Sequence, residues 1–175
     1  KRENVFLCDL DGLIYNGREA GMTPQKAEYA QGDSPASLDD VIEGADLFLG
    51  LSGPGVLTPE MVGKMASKPI IFALANPSPE IQPDDVRRVA PDALIATGRS
   101  DFPNQVNNVL CFPFIFRGAL DVGATEINDA MKIACIEGIA AMARATTSAE
   151  AAEAYKGEQL TFGVDYLIPK PFDPR

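Results

Sequence analysis

Three short segments, residues 4–9, 46–52 and 69–75, each centre on a run of apolar residues (Val5-Phe6-Leu7-Cys8, Leu47-Phe48-Leu49 and Ile70-Ile71-Phe72-Ala73-Leu74-Ala75), and they restrict the fold more than any other feature of the chain. Each is too short for an ordinary helix and lacks the alternation of a strand with one wet face. Each therefore suits a strand buried on both faces of a parallel sheet. A fourth, shorter run spans 93–96. Between the runs lie helix-start signals: Ser37 ahead of Leu38-Asp39-Asp40, Thr58 ahead of Pro59-Glu60, and Ser78 ahead of Pro79-Glu80. Each offers a side-chain oxygen to unpaired N–H groups, and in the last two a proline sits where a missing N–H costs nothing. Strand and helix alternate, so the expected class is α/β, a Rossmann-like doubly wound and mostly parallel sheet. Such a sheet begins with a strand, a Gly-rich turn and a helix. This chain opens almost directly on 4–9 and is expected to lack them.

Further along, 126–144 carries the longest helical pattern, with Ile127, Met131, Ala134, Cys135 and Gly138 on one face that should pack on the sheet or on a neighbouring domain. A short Ala-rich helix follows at 148–155, and then Pro169-Lys170-Pro171-Phe172-Asp173-Pro174, which resists both helix and sheet. The expected division is a partial nucleotide-binding domain over 1–165 and an exit linker over 166–175.

Charge and composition exclude several classes. A net charge of −10 repels phosphate backbones and anionic lipid, so neither nucleic acid nor a membrane surface is an expected partner. No apolar run is long enough to span a bilayer, and the start carries no signal-peptide core. Cys8, Cys111 and Cys135 sit in apolar stretches without paired spacing, as small buried hydrophobes of a reducing, cytoplasmic compartment would. With no histidine, chemistry rests on carboxylates, lysines, amides and backbone groups.

The chemistry-bearing residues fall at the ends of the apolar runs, where α/β folds bind ligands. Asp9 ends the first, at the place of the acidic residue that accepts from an adenosine ribose, although an acidic turn with Asp11 and Gly12 reads equally simply. Asp9-Leu10-Asp11-Gly12 also resembles the first motif of haloacid-dehalogenase-type phosphatases, with Asp9 as nucleophile and Asp11 as acid/base. That alternative lacks the late acidic pair it needs, because Ala93-Leu94-Ile95-Ala96 runs into Thr97-Gly98-Arg99. The second run ends in Ser52-Gly53-Pro54-Gly55, a side-chain-poor turn that a nucleotide could approach closely, or a plain turn before the next helix. The third ends in Asn76-Pro77, whose amide can donate to a carboxylate and accept from a hydroxyl, or cap the next helix. After the fourth comes a loop dense in amides, Asn104-Gln105-Val106-Asn107-Asn108.

Taken in order, Asp9-Leu10-Asp11-Gly12-Leu13-Ile14-Tyr15-Asn16-Gly17-Arg18, Gly44-Ala45-Asp46 with Ser52-Gly53, Phe72-Ala73-Leu74-Ala75-Asn76-Pro77, and Gly98-Arg99 with Asn107-Asn108-Val109 closely resemble malic enzymes. Phe112-Pro113, Gly118-Ala119-Leu120 and the Tyr166-Leu167-Ile168-Pro169 ending look most like the bacterial members, some of which continue into a phosphotransacetylase-like domain. The resemblance implies oxidative decarboxylation of (S)-malate to pyruvate and CO₂, with reduction of NADP or NAD and help from Mn²⁺ or Mg²⁺. It implies cofactor contacts from Asp9, Ser52, Gly53, Asn76 and Asn107, and malate contacts from Asn76, Asn107 and Asn108. Lys26, with Arg18 as second choice, is the candidate for neutralising the extra phosphate of NADP, the better-favoured cofactor; a solvated helix lysine is the simpler alternative. In the family the catalytic tyrosine and lysine and the metal ligands precede the segment aligned with Lys1, so no catalytic or metal-binding residue is assigned here, and the polypeptide alone is expected to be inactive. Exposed apolar sheet edges make a homo-oligomer the expected assembly. The remaining alternative is a non-catalytic oligomerisation domain on the same fold.

Overall fold

The computed structural model describes residues 1–146, 148–155, 160–171 and 173. A small hairpin comes first: strand β1 (Cys8–Asp9) pairs antiparallel with β2 (Gly12–Leu13). Helix α1 (Pro24–Ala27), capped by the Thr23 hydroxyl, and α2 (Leu38–Val41) lead into the main sheet. In α2 the Ser37 hydroxyl and the Asp40 carboxylate close a capping box. The main sheet holds three parallel strands in sequential order, β3 (Leu47–Gly50), β4 (Ile70–Ala73) and β5 (Leu94–Thr97). Between them run α3 (Pro59–Lys64), capped by Thr58, and α4 (Pro83–Val89). A 3₁₀ turn over Asn108–Leu110 precedes α5 (Phe112–Asp121), α6 (Asp129–Arg144) and α7 (Ala149–Ala154).

The register explains the core. Phe48, Ile71 and Ile95 lie side by side across the sheet, and this row packs under Val62 of α3 and Val86 of α4, with Leu57, Met65 and Ile81 filling the gaps. Burying each such side chain stabilises by about 1.5–3 kcal/mol, so this layer fixes how the strands stack. The next row, Leu49, Phe72 and Ala96, points to the opposite face. There Leu47 and Leu49 are half exposed. The second and third apolar runs are thus strands, as expected, but among the described residues helices cover one face of them.

Two other expectations are corrected. The run 4–9 does not join the parallel sheet: only Cys8–Asp9 is a strand, folded back on Gly12–Leu13, while Val5 and Phe6 are exposed. The turn residues Asp9-Leu10-Asp11-Gly12 favour this local pairing, with Gly12 at φ +95° and its α-hydrogen side against the Ala36 carbonyl. The helix expected after Ser78 starts later, at Pro83 with Gln82 as its N-cap, because Glu80 turns inward instead of opening a helix.

Of the long helical pattern, α6 begins at the Asn128 cap; Met131 and Cys135 are half-buried on its inner side, whereas Ala134 and Gly138 are exposed. It packs on α5. Residues 164–167 are docked on the loop after β5. Buried Asn104 donates from Nδ2 to the carbonyls of Ile95 (2.9 Å) and Val164 (2.7 Å) and accepts from Leu167 N–H (2.7 Å). Of the 166–175 tail, residues 172, 174 and 175 lie outside the described residues.

Candidate functional site

Two groups of the singled-out residues emerge, one at the hairpin and one along the carboxyl edge of the sheet. At the hairpin, Asp9 is held by two cations. Its Oδ1 accepts from Arg18 Nη2 at 2.8 Å and from the Asp11 N–H at 3.0 Å; its Oδ2 accepts from Lys26 Nζ at 2.5 Å and from Arg18 Nη2 at 3.0 Å. Burial would raise the Asp9 pKa, but hydrogen bonds from Lys26, Arg18 and the Asp11 N–H outweigh it and hold the group at about 2. The side chains of Arg18, Asp9 and Lys26 are 4%, 22% and 30% exposed.

Those exposures separate the two cations. Arg18 also donates to the carbonyls of Ala20, Gly12 and Leu13, so it is an internal strut of the hairpin. Lys26, which also donates to the Gly21 carbonyl, is the one with a face to solvent. Beside Asp9 an open cleft of about 640 Å³ runs between the hairpin and the start of α2, lined by Gly12, Ala36, Ser37, Asp39 and Met61 among others. The same cluster argues against a phosphatase. Asp9 sits on an antiparallel hairpin and not at the end of a parallel strand, and its oxygens are already paired with an arginine and a lysine where a nucleophile would need a metal ion beside it.

Along the sheet, the last paired positions are Gly50, Ala73 and Thr97, so the turns that follow them stand at one edge. Ser52 is exposed, and nothing lies within 4 Å of where a Cβ on Gly53 would stand. This leaves the backbone of the turn open to a flat ligand. Asn76, exposed and preceding a cis proline, lies against Gly98: a Cβ there would come within 2.6 Å of Asn76 Nδ2. The chain then returns beside β5 through a bridge between Thr97 and Gln105, and Val106 N–H donates to the Thr97 carbonyl at 2.8 Å. That pairing carries Asn107 to the same edge. Its Oδ1 accepts from Val109 N–H at 3.0 Å, which leaves Nδ2 unengaged among the described residues. Asn108, the first residue of the 3₁₀ turn, is exposed. Arg99 is clamped by Asp101 and donates to the Pro77 carbonyl, tying the Asn76 and Gly98 loops together.

One residue at this edge escaped the sequence reading. Glu80 is 0% exposed, and its carboxylate accepts from Ser52 N–H (2.8 Å), Ser52 Oγ (3.2 Å) and Ala75 N–H (3.1 Å). The available signal was Gly50, a glycine inside a strand, which marks close approach by another group. The cysteines are free, as expected, but less buried than expected. They are half-buried, and Cys111 Sγ lies 3.3 Å from Cys135 Sγ across α5 and α6; this contact pushes the Cys135 thiol pKa up.

Comparison with known proteins then places the chain. Residues 1–155 match the family model "Malic enzyme, NAD binding domain". The chain is 61% identical to the NADP-dependent malic enzyme of Escherichia coli, over 100% of its own length and 23% of that protein. It is 60% identical, with the same coverages, to the NAD-dependent malic enzyme of Rhizobium meliloti. Among solved structures, it superposes with a TM-score of 0.77 and 36% identity on the NAD-dependent malic enzyme of Thermotoga maritima, covering 98% of this chain and 42% of that one. The chain spans about a quarter of the length of these two curated relatives.

Proposed function

The chain belongs to the malic enzyme family, in its NAD-binding domain, and on that premise we propose that the protein carrying it converts (S)-malate to pyruvate and CO₂ with reduction of NADP. The fold is accordingly Rossmann-like α/β. The observation that carries the reading is the gathering of Ser52-Gly53, Asn76 and the 105–107 segment, bridged to Thr97 at Gln105, at one carboxyl edge, where such sheets bind their ligands.

Each group has a task suited to its chemistry. The open Ser52-Gly53 turn receives the dinucleotide backbone, and the ionised Asp9 accepts from an adenosine ribose hydroxyl. Asn76 and Asn107, neutral and able to donate and accept at once, orient malate and the nicotinamide carboxamide without adding charge; Asn108 flanks them on the malate side. A dinucleotide held by these residues would supply the acceptor for the hydride of the hydroxyl-bearing carbon of malate. Among the described residues no group of three or more acidic, cysteine or histidine side chains could hold a metal ion. The Mn²⁺ or Mg²⁺ that the family resemblance implies therefore finds no fit among them.

NADP is favoured over NAD by the cations at Asp9. A lone carboxylate would repel a 2′-phosphate, but Arg18 offsets that charge from inside, and the partly exposed Lys26 can turn to the phosphate. Initial rates of the full-length protein with malate, Mn²⁺ and either dinucleotide test both points. NADP reduction is expected, with KM for NADP raised about tenfold in Lys26→Ala and KM for NAD little changed. Absence of malate-dependent reduction would overturn the activity; preference for NAD, unaltered in the variant, would overturn the cofactor assignment.

A further inference from the structure

Gly50 and Ala73 are the last paired residues of β3 and β4, and two positions beyond them stand Ser52 and Ala75, whose N–H groups converge on one carboxylate. Glu80 Oε1 takes the Ser52 N–H and hydroxyl, and Oε2 takes the Ala75 N–H. Just beyond the bond from Leu74 N–H to the Gly50 carbonyl, Glu80 bridges the two chains from within. A Cβ on Gly50 would stand 2.4 Å from the Glu80 carboxyl carbon, so the carboxylate lies directly over the strand and is admitted only because residue 50 has no side chain. The backbone agrees: the Glu80 carbonyl accepts from Leu57 N–H at 3.2 Å, anchoring the residue to the far end of the same turn.

The two N–H groups belong to the two turns that carry the site. Ser52 adjoins Gly53, and Ala75 adjoins Asn76. Resting on the proposed function above, we propose that Glu80 is a positioning residue of the dinucleotide and malate site, a buried carboxylate that fixes the cofactor turn relative to the substrate amide by bridging their backbones. Only an acceptor at both oxygens can do this. In Glu80→Gln the size is kept, but one oxygen becomes an NH₂ facing an N–H, and the turn on that side is released.

The test uses the full-length protein. Titration of NADPH, followed by the change in its own fluorescence, gives the dinucleotide Kd without needing turnover. Glu80→Gln is expected to weaken binding about tenfold and to raise KM for malate in the same sense. A residue that served stability alone would lower the melting temperature and the active fraction but leave Kd and KM of the folded protein unchanged, and that result overturns the proposal. Should the variant not fold, amide hydrogen exchange on the wild-type protein decides. Slow exchange at both Ser52 and Ala75 before any ligand is added supports the bridge, whereas free-loop exchange at either refutes it. Failure of the malic reading is distinguishable, because NADPH binding would then remain sensitive to Glu80→Gln while malate went unoxidised.

Discussion

Replacing Asp9 by Asn removes the charge on which the hairpin is built, and its cost can be worked from the structure. A pKa lowered from 3.8 to about 2 corresponds to about 2.5 kcal/mol of folded-state preference for the carboxylate, at ~1.4 kcal/mol per unit. With Asp9 and Lys26 both partly exposed, solvent screening reduces this to about 1–2 kcal/mol. The variant also leaves the guanidinium of Arg18, 4% exposed, without its carboxylate, though three carbonyls still accept from it. Local opening of the hairpin should therefore become about 30-fold more frequent, near 2 kcal/mol. Amide exchange at Leu13 and Ile14, bonded to the carbonyls of Ala36 and Leu7, reads it directly in the full-length protein. The sign of the pH dependence follows from the lowered pKa. The contribution is complete above about pH 4, falls to about half by pH 3, and is largely lost at pH 2, where the wild-type carboxyl is itself half protonated. Equal protection in wild type and variant at pH 7 would refute the reasoning, as would a difference that persists unchanged to pH 2.

Gly98→Ala is expected to push aside the Asn76 amide, 2.6 Å from the added carbon, and to lower kcat/KM for malate by about tenfold or more with little change in melting temperature; steady-state rates and calorimetry separate the two. Asn104→Ala removes three hydrogen bonds, one to the buried Ile95 carbonyl of β5 and two to Val164 and Leu167, and should destabilise by about 2–4 kcal/mol, seen as earlier proteolysis of the tail. Treatment with a disulfide-forming oxidant should cross-link Cys111 to Cys135 ahead of either with Cys8, since the pair already touches at 3.3 Å, and peptide mapping would reveal the bridge.

The parts of the fold that were legible in the sequence are those set by local chemistry. Ser37 and Thr58 cap the helices they were expected to cap, because a hydroxyl before an unpaired turn has one obvious use. The runs at 46–52 and 69–75 became β3 and β4, since nothing nearby competes for them. The first run misled because apolar content says nothing about which partner a strand finds: the acidic, glycine-containing turn after Asp9 pairs it with its own continuation. Ser78 misled for the opposite reason. Its helix signal was outweighed by a carboxylate two residues on, whose partners lie 28 residues back in Ser52 and at Ala75, and no local pattern reveals such a partnership. Of the proposed site residues, Asp9, Ser52 and Asn76 stand out in the sequence as polar ends of apolar runs and Asn107 as part of an amide-dense loop. Arg18 read as a possible phosphate ligand but spends its donors on Asp9, Asp11 and three backbone carbonyls, a use that only three dimensions disclose.

If the carboxyl edge of this sheet handles malate, Asn76→Ala in the full-length protein must impair malate turnover. At saturating dinucleotide, kcat/KM for malate should fall by a hundredfold or more, while NADPH binding, followed by fluorescence, changes far less. A variant that oxidises malate at the wild-type rate and KM would show that this edge does not hold malate.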